Sequence, residues 1–237
     1  MEFRIFGDLT GVVAKALHAR LKRGGVFCFP TGRTMDPIYA ALVDINRLDP
    51  VDGQKIEAFM VDEYWGLTAR DPRSYGDYLQ QRVYSPLGIR NYHFIRAVGD
   101  PSESAAEYEA FIHKAGGVDL QLLGLGKNGH IGFNEPGSSP DSRTRLVEIA
   151  DSTREANAEL FGNIADVPTH AISIGVGTIL SAKEVWVIVS GLSKGAIVRK
   201  VHASSPTLDI PASHLKGHAS CIMFMDEECA LRGGLKV

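Results

Sequence analysis

The chain carries short, largely apolar runs closed by turns that contain glycine or an acid, with stretches of helical periodicity among them. The runs are residues 26–29, 56–61, 118–125, 171–174, 185–189 and 222–225. A run of this kind, with no polar alternation, suits a strand covered on both faces, which is how strands of a parallel sheet are buried. Between them, Val12, Val13, Ala16, Leu17 and Leu21 fall at helical spacing over residues 9–23, and Ile38, Ala41, Leu42 and Ile45 do so after Pro37. Further helices are expected over 103–113, 151–161 and 194–202. This alternation predicts an α/β fold: a doubly wound, mostly parallel, Rossmann-like sheet with helices on both faces. With 237 residues, 44% of them hydrophobic, and no repeat or low-complexity linker, the chain is expected to form one domain over residues 1–237.

Composition narrows the partners. The formal charge of −3, from 25 basic and 28 acidic residues, offers no net attraction to a polyanion, so no nucleic-acid partner is expected. No stretch is apolar enough to span a bilayer and the N-terminus has no signal core, so no membrane partner is expected and a cytoplasmic setting is. Cys28, Cys221 and Cys229 match no zinc or redox spacing, which suits a reducing compartment.

In an open sheet of this kind ligands bind beyond the carboxyl ends of the strands. Three segments there carry chemistry. Thr31-Gly32-Arg33-Thr34 offers backbone N–H groups, hydroxyls and a guanidinium to a phosphate, although the same residues also suit a helix cap with a surface arginine. Asp62 follows a strand directly and faces the cleft as a candidate base for a proton on carbon, or serves as a cap or ion-pair partner; Glu63 beside it is expected to be structural. Residues 124–136, GLGKNGHIGFNEP, place His130 among glycines that free the backbone, with Asn128 and Glu135 able to orient it. Neither a nucleotide P-loop nor a GxGxxG fingerprint is present. His214 and His218 stand four apart, but Pro211 and Gly217 favour a loop over a zinc-binding helix, so no metal is expected. Ser138, Ser139 and Ser142 lack a nucleophile elbow.

The run 61–67, VDEYWGL, together with residues 124–136, Ser142-Arg143-Thr144-Arg145 and Val176-Gly177-Thr178, resembles the glucosamine-6-phosphate deaminase family, which is related to the 6-phosphogluconolactonases. The resemblance spans about residues 26–226. It implies an enzyme of amino-sugar catabolism that needs no cofactor and converts glucosamine 6-phosphate and water to fructose 6-phosphate and ammonia. His130 would open the sugar ring, with Glu135 and Asn128 orienting and tuning it, and Asp62 would carry a proton from C2 toward C1. Lys194 matches the family's phosphate lysine and residues Thr31, Gly32, Arg33 and Thr34 its phosphate loop. The partner implied is a small amino-sugar phosphate; whether the chain is a monomer or a homo-oligomer stays open.

Three departures qualify the resemblance. Asn128 stands where some members carry aspartate. Glu159 stands where the family usually has a phosphate-binding arginine, and pairing between Glu159 and Arg33 is the expected remedy. Val147 replaces a basic residue of the activator site of allosteric members, and the chain ends at Val237 without their extension, which suggests simple kinetics. Other readings are a galactosamine-6-phosphate deaminase, a lactonase-like hydrolase and a catalytically silent sugar-phosphate sensor.

Overall fold

A computed structural model describes residues 1–236. Ten strands run in chain order as β1 (Glu2–Phe6), β2 (Gly25–Phe29), β3 (Ile56–Met60), β4 (Asp62–Tyr64), β5 (Asn91–His93), β6 (Leu120–Gly124), β7 (Arg145–Glu148), β8 (His170–Ser173), β9 (Glu184–Val189) and β10 (Cys221–Asp226). The α-helices are α1 (Leu9–Leu21), α2 (Asp36–Leu48), α3 (Tyr75–Leu79), α4 (Pro101–Lys114), α5 (Asp151–Phe161), α6 (Val176–Leu180), α7 (Gly195–Ala203) and α8 (Glu227–Gly233).

Seven strands form one wholly parallel sheet in the order β1-β10-β9-β6-β2-β3-β5. Its central strands are the continuous apolar runs of the sequence, and the residues of β2 from Val26 to Phe29 are all buried. The chain winds outward from β2 through β3 to β5, then crosses back to β6 on the opposite side of β2. That reversal opens a crevice between the carboxyl ends of β2 and β6, the place where open α/β sheets bind ligands. Pro37 stands in the first turn of α2 as its fixed φ favours, and α5 has the expected bounds.

One strand departs from the expected parallel sheet. Residues 171–173 of the run 171–174 lie in β8, the centre of a second, antiparallel sheet ordered β4-β8-β7. Its apolar composition is that of a buried strand, but composition carries no strand direction; direction is set by the pairing of Asp62 with Ser173 and of Arg145 with the same residue. The short strands β1, β5 and β7 are too mixed in composition to stand out as apolar runs. A small core under the second sheet joins Tyr64, Phe133, Ile149, Phe161, Val167 and Ala171. Phe161 of α5 meets Tyr64 edge-on with ring centres 5.0 Å apart, so the helix packs on the strand that begins with Asp62.

Candidate active site

Asp62 sits where the chain leaves the large sheet for the small one. Val61 still bonds to both: its N–H donates to Phe29 O (3.2 Å), and its carbonyl accepts from Ile174 N–H (2.9 Å). Asp62 is only 7% exposed. Burial first, and the neighbouring Glu63 second, push its carboxyl up to about 8. Glu63 turns away, as expected of a structural residue. Its Oε1 accepts the N–H groups of Tyr64 (2.9 Å) and Tyr75 (3.0 Å), and its Oε2 that of Gly76 (2.8 Å), fastening the start of α3 beneath β4. Burial still raises it to about 7 against these three donors.

The loop after β6 folds tightly enough to bring its histidine back to its own origin. Gly126 N–H donates to His130 O (2.9 Å), and a Cβ at Gly126 would overlap the imidazole ring. Gly132, at φ +57°, comes so close to the strand end that a Cβ there would stand 3.2 Å from Asp62 Oδ2 and 2.9 Å from Ser173 Oγ. Gly132 thus lets the histidine loop approach the Asp62 carboxylate closely, and Gly126 lets the same loop turn back on itself. Ser173 completes the seat by accepting the Phe133 N–H (3.1 Å).

Glu135 is held from three sides. The Asn128 amide donates to Oε2 (2.6 Å), the Thr153 hydroxyl donates to Oε1 (2.7 Å), and His130 Nδ1 lies 3.4 Å from Oε2, outside hydrogen-bond alignment but within ion-pair reach. Burial works to raise this carboxyl, yet His130, Thr153 and Asn128 together hold it below the usual carboxylate range. Asn128 also accepts the His130 backbone N–H (3.2 Å). It therefore braces both the loop and the carboxylate.

The loops after β2, β6 and β9, three adjacent strands, bring Arg33, Lys127 and Lys194 into one field. Lys194 precedes the first residue of α7, is half-buried, and donates to Leu125 O. Burial first, then the positive charges of Lys127 and Arg33, lower its ammonium from the ordinary lysine value. Ser190, just before this turn, lies 3.4 Å from the Thr34 hydroxyl and draws the first loop toward the third. Among the described residues none of the three cations has a carboxylate partner.

That corrects one expectation: Glu159 does not pair with Arg33. Glu159 stands with Glu155, Ala156 and Leu160 on the exposed face of α5, while Thr153 and Phe161 face inward. The helix is oriented by its aromatic anchor, and an unpaired carboxylate is least costly in water. His218 and His214 gather no metal cluster; His218 Nε2 bonds to Ala182 O (2.8 Å) and its Nδ1 accepts Ser220 N–H (3.0 Å). The three cysteines are buried free thiols.

Lys127, Thr153 and Ser173 escaped the sequence reading. Lys127 stood inside the most informative motif but carries no pattern of its own. Thr153 lies eighteen residues from Glu135, in the first turn of α5. Ser173 reaches Asp62 only through the antiparallel pairing. A cleft of about 510 Å³ opens on the far side of Glu135, walled by Phe133, Ser138, Ser142, Arg145 and Glu148. Arg145, whose guanidinium is lowered by burial, donates there to Asn134 Oδ1 (2.8 Å) and Ser138 Oγ (3.1 Å).

With this geometry, comparison with known proteins is informative. Residues 5–223 match the family model described as glucosamine-6-phosphate isomerases/6-phosphogluconolactonase. The chain is 36% identical over 234 residues to the glucosamine-6-phosphate deaminase of Halalkalibacterium halodurans, covering 96% of this chain and 95% of that protein. It is 40% identical over 204 residues to that of Shouchella clausii, covering 84% and 82%. The solved structure of a monomeric glucosamine-6-phosphate deaminase superposes with a TM-score of 0.94 at 33% identity, over 98% of this chain and 100% of that one. A 6-phosphogluconolactonase from Thermotoga maritima shares the fold at a TM-score of 0.76 and 17% identity, over 95% and 99%.

Proposed function

The chain belongs to the glucosamine-6-phosphate isomerase/6-phosphogluconolactonase family, and from that premise we propose how its site performs the deaminase reaction. The activity is that of a glucosamine-6-phosphate deaminase: glucosamine 6-phosphate and water give fructose 6-phosphate and ammonia. The observation that carries the assignment of roles is the Asp62 carboxylate, buried at a strand end with Gly132 of the histidine loop packed close against it. Abstracting a proton from carbon needs such a base, desolvated and raised toward neutrality.

His130 moves a proton to the ring oxygen as the C1–O bond breaks and the C1 hydroxyl becomes a carbonyl. Glu135, fixed by Asn128, orients the imidazole. Asp62 then takes the C2 proton while the C2 ammonium gives up a proton to the C1 oxygen, which yields an enolamine; Asp62 returns its proton to C1, leaving a protonated imine at C2. Water adds there and ammonia departs. The phosphate is assigned to Thr31, Gly32, Arg33, Thr34 and Lys194, and Lys127 joins them in this reading because its charge acts on Lys194. Three cations without carboxylate partners at the start of α7 suit a dianion. Residues 1–237 act as one domain in this reading, because β3 runs into β4 through Val61 alone and the site uses both sheets.

Purified protein is expected to release ammonia and fructose 6-phosphate in equal amounts from glucosamine 6-phosphate. Absence of ammonia from both the gluco and the galacto epimer would overturn the reading. Arg33→Ala should lower kcat/KM about ten- to a hundredfold, mainly through KM, since a hydrogen bond to a charged group is worth roughly 1.5–3 kcal/mol. Any turnover of unphosphorylated glucosamine should not change. An equal loss on both sugars would remove Arg33 from the phosphate site.

A further inference from the structure

We infer that Thr153, on a helix outside the β6 loop, is a positioning residue for proton transfer: its hydroxyl fixes the Glu135 carboxylate in the orientation that His130 requires. The inference deepens the proposed function and rests on it for the role of His130. Thr153 is 7% exposed, and its Oγ1 donates to Glu135 Oε1 at 2.7 Å. Asn128 holds only the other oxygen. The carboxylate has one free torsion after its side chain is placed, and a donor on each oxygen is what stops that rotation. With Thr153 removed, Oε1 is unanchored and the 3.4 Å approach of Oε2 to His130 Nδ1 is no longer set by structure.

The donor is carried by a helix tied to its neighbours. The Thr153 carbonyl accepts from the Asn157 amide (2.9 Å), Arg154 donates to Ile164 O (3.0 Å) and Val167 O (3.2 Å), and Phe161 is packed on Tyr64. The hydroxyl therefore couples the docking of α5 to the orientation of the imidazole. The charged and titratable groups around Glu135 are His130 from its own loop and, lining the adjoining cleft, Arg145 and Glu148 of β7; α5 contributes the neutral Thr153. A donor to the ionised carboxylate favours the charged form, so loss of the Thr153 hydroxyl raises the pH at which Glu135 titrates.

The test compares Thr153→Val, which keeps the shape, with Thr153→Ser, which keeps the hydroxyl. Thr153→Val should lower kcat roughly tenfold with KM within about twofold. Carbon-detected NMR of the Glu135 side chain should show its carboxyl titrating at higher pH than in the parent. Thr153→Ser should return both readouts to parental values. A Thr153→Val protein with an unmoved Glu135 titration, or a Thr153→Ser protein as perturbed as the valine variant, overturns the inference. The NMR arm needs no substrate, so it decides the Thr153–Glu135 coupling even if the parent releases no ammonia, an outcome that would instead overturn the proposed function.

Discussion

Asp62→Asn is expected to lower the rate of ammonia release by roughly 10³-fold while leaving KM within a few-fold, because the amide keeps the shape of the carboxylate but cannot accept a proton from carbon. Exchange of the C2 hydrogen with solvent deuterium should stop with it. The same variant should be more stable than the parent. Asp62 titrates near 8 in the fold against an ordinary value of 3.8, so its contribution to stability is fully present below about pH 4 and is lost as the pH rises through 8. The gain in Tm for Asp62→Asn should therefore be small at pH 4 and grow up to pH 8. Parental C2 exchange in the variant would assign the base elsewhere, and a Tm gain that does not depend on pH would show that Asp62 is not a buried acid.

The same burial shapes the rate profile. In the free protein the base must be ionised, so kcat/KM should climb toward pH 8. In the proposed reaction the substrate carries its ammonium on the carbon whose proton Asp62 takes, and a cation at that distance favours the carboxylate. The acid limb of kcat should lie at lower pH than that of kcat/KM.

What the sequence made legible follows from which interactions are local. Residues 26–29 and 185–189 announce strands because a strand buried on both faces has to be apolar throughout, and α5 announces itself by periodicity. His130, Asn128 and Glu135 were legible together because one glycine loop carries all three, and short-range contacts within that loop bring them together. Ser173 and Thr153 were not, because each meets its partner only through tertiary pairing: Ser173 through a strand whose direction composition does not encode, Thr153 through the packing of Phe161. Glu159 was misplaced for a related reason. A position in a motif says which turn of α5 a residue occupies, but the face it presents was decided by the aromatic cluster under the helix.

Lys194→Met carries the second large effect, and the argument is electrostatic. Lys194 stands at the start of α7, where backbone N–H groups favour an anion, and holds its ammonium against burial and two neighbouring cations. A cation kept in such a place, with a carbonyl but no carboxylate beside it, is stabilised fully only when a dianion arrives. The neutral methionine should raise KM for the phosphorylated sugar and lower kcat/KM by about 10²- to 10³-fold, more than Arg33→Ala, whose guanidinium is exposed to water. Inorganic phosphate, a competitor for the parent, should lose most of its inhibition in the variant, and the parental KM should rise with ionic strength more steeply than the variant's. Undiminished phosphate inhibition of Lys194→Met would place the dianion elsewhere in the crevice between β2 and β6, with Arg33 and Lys127 carrying it alone.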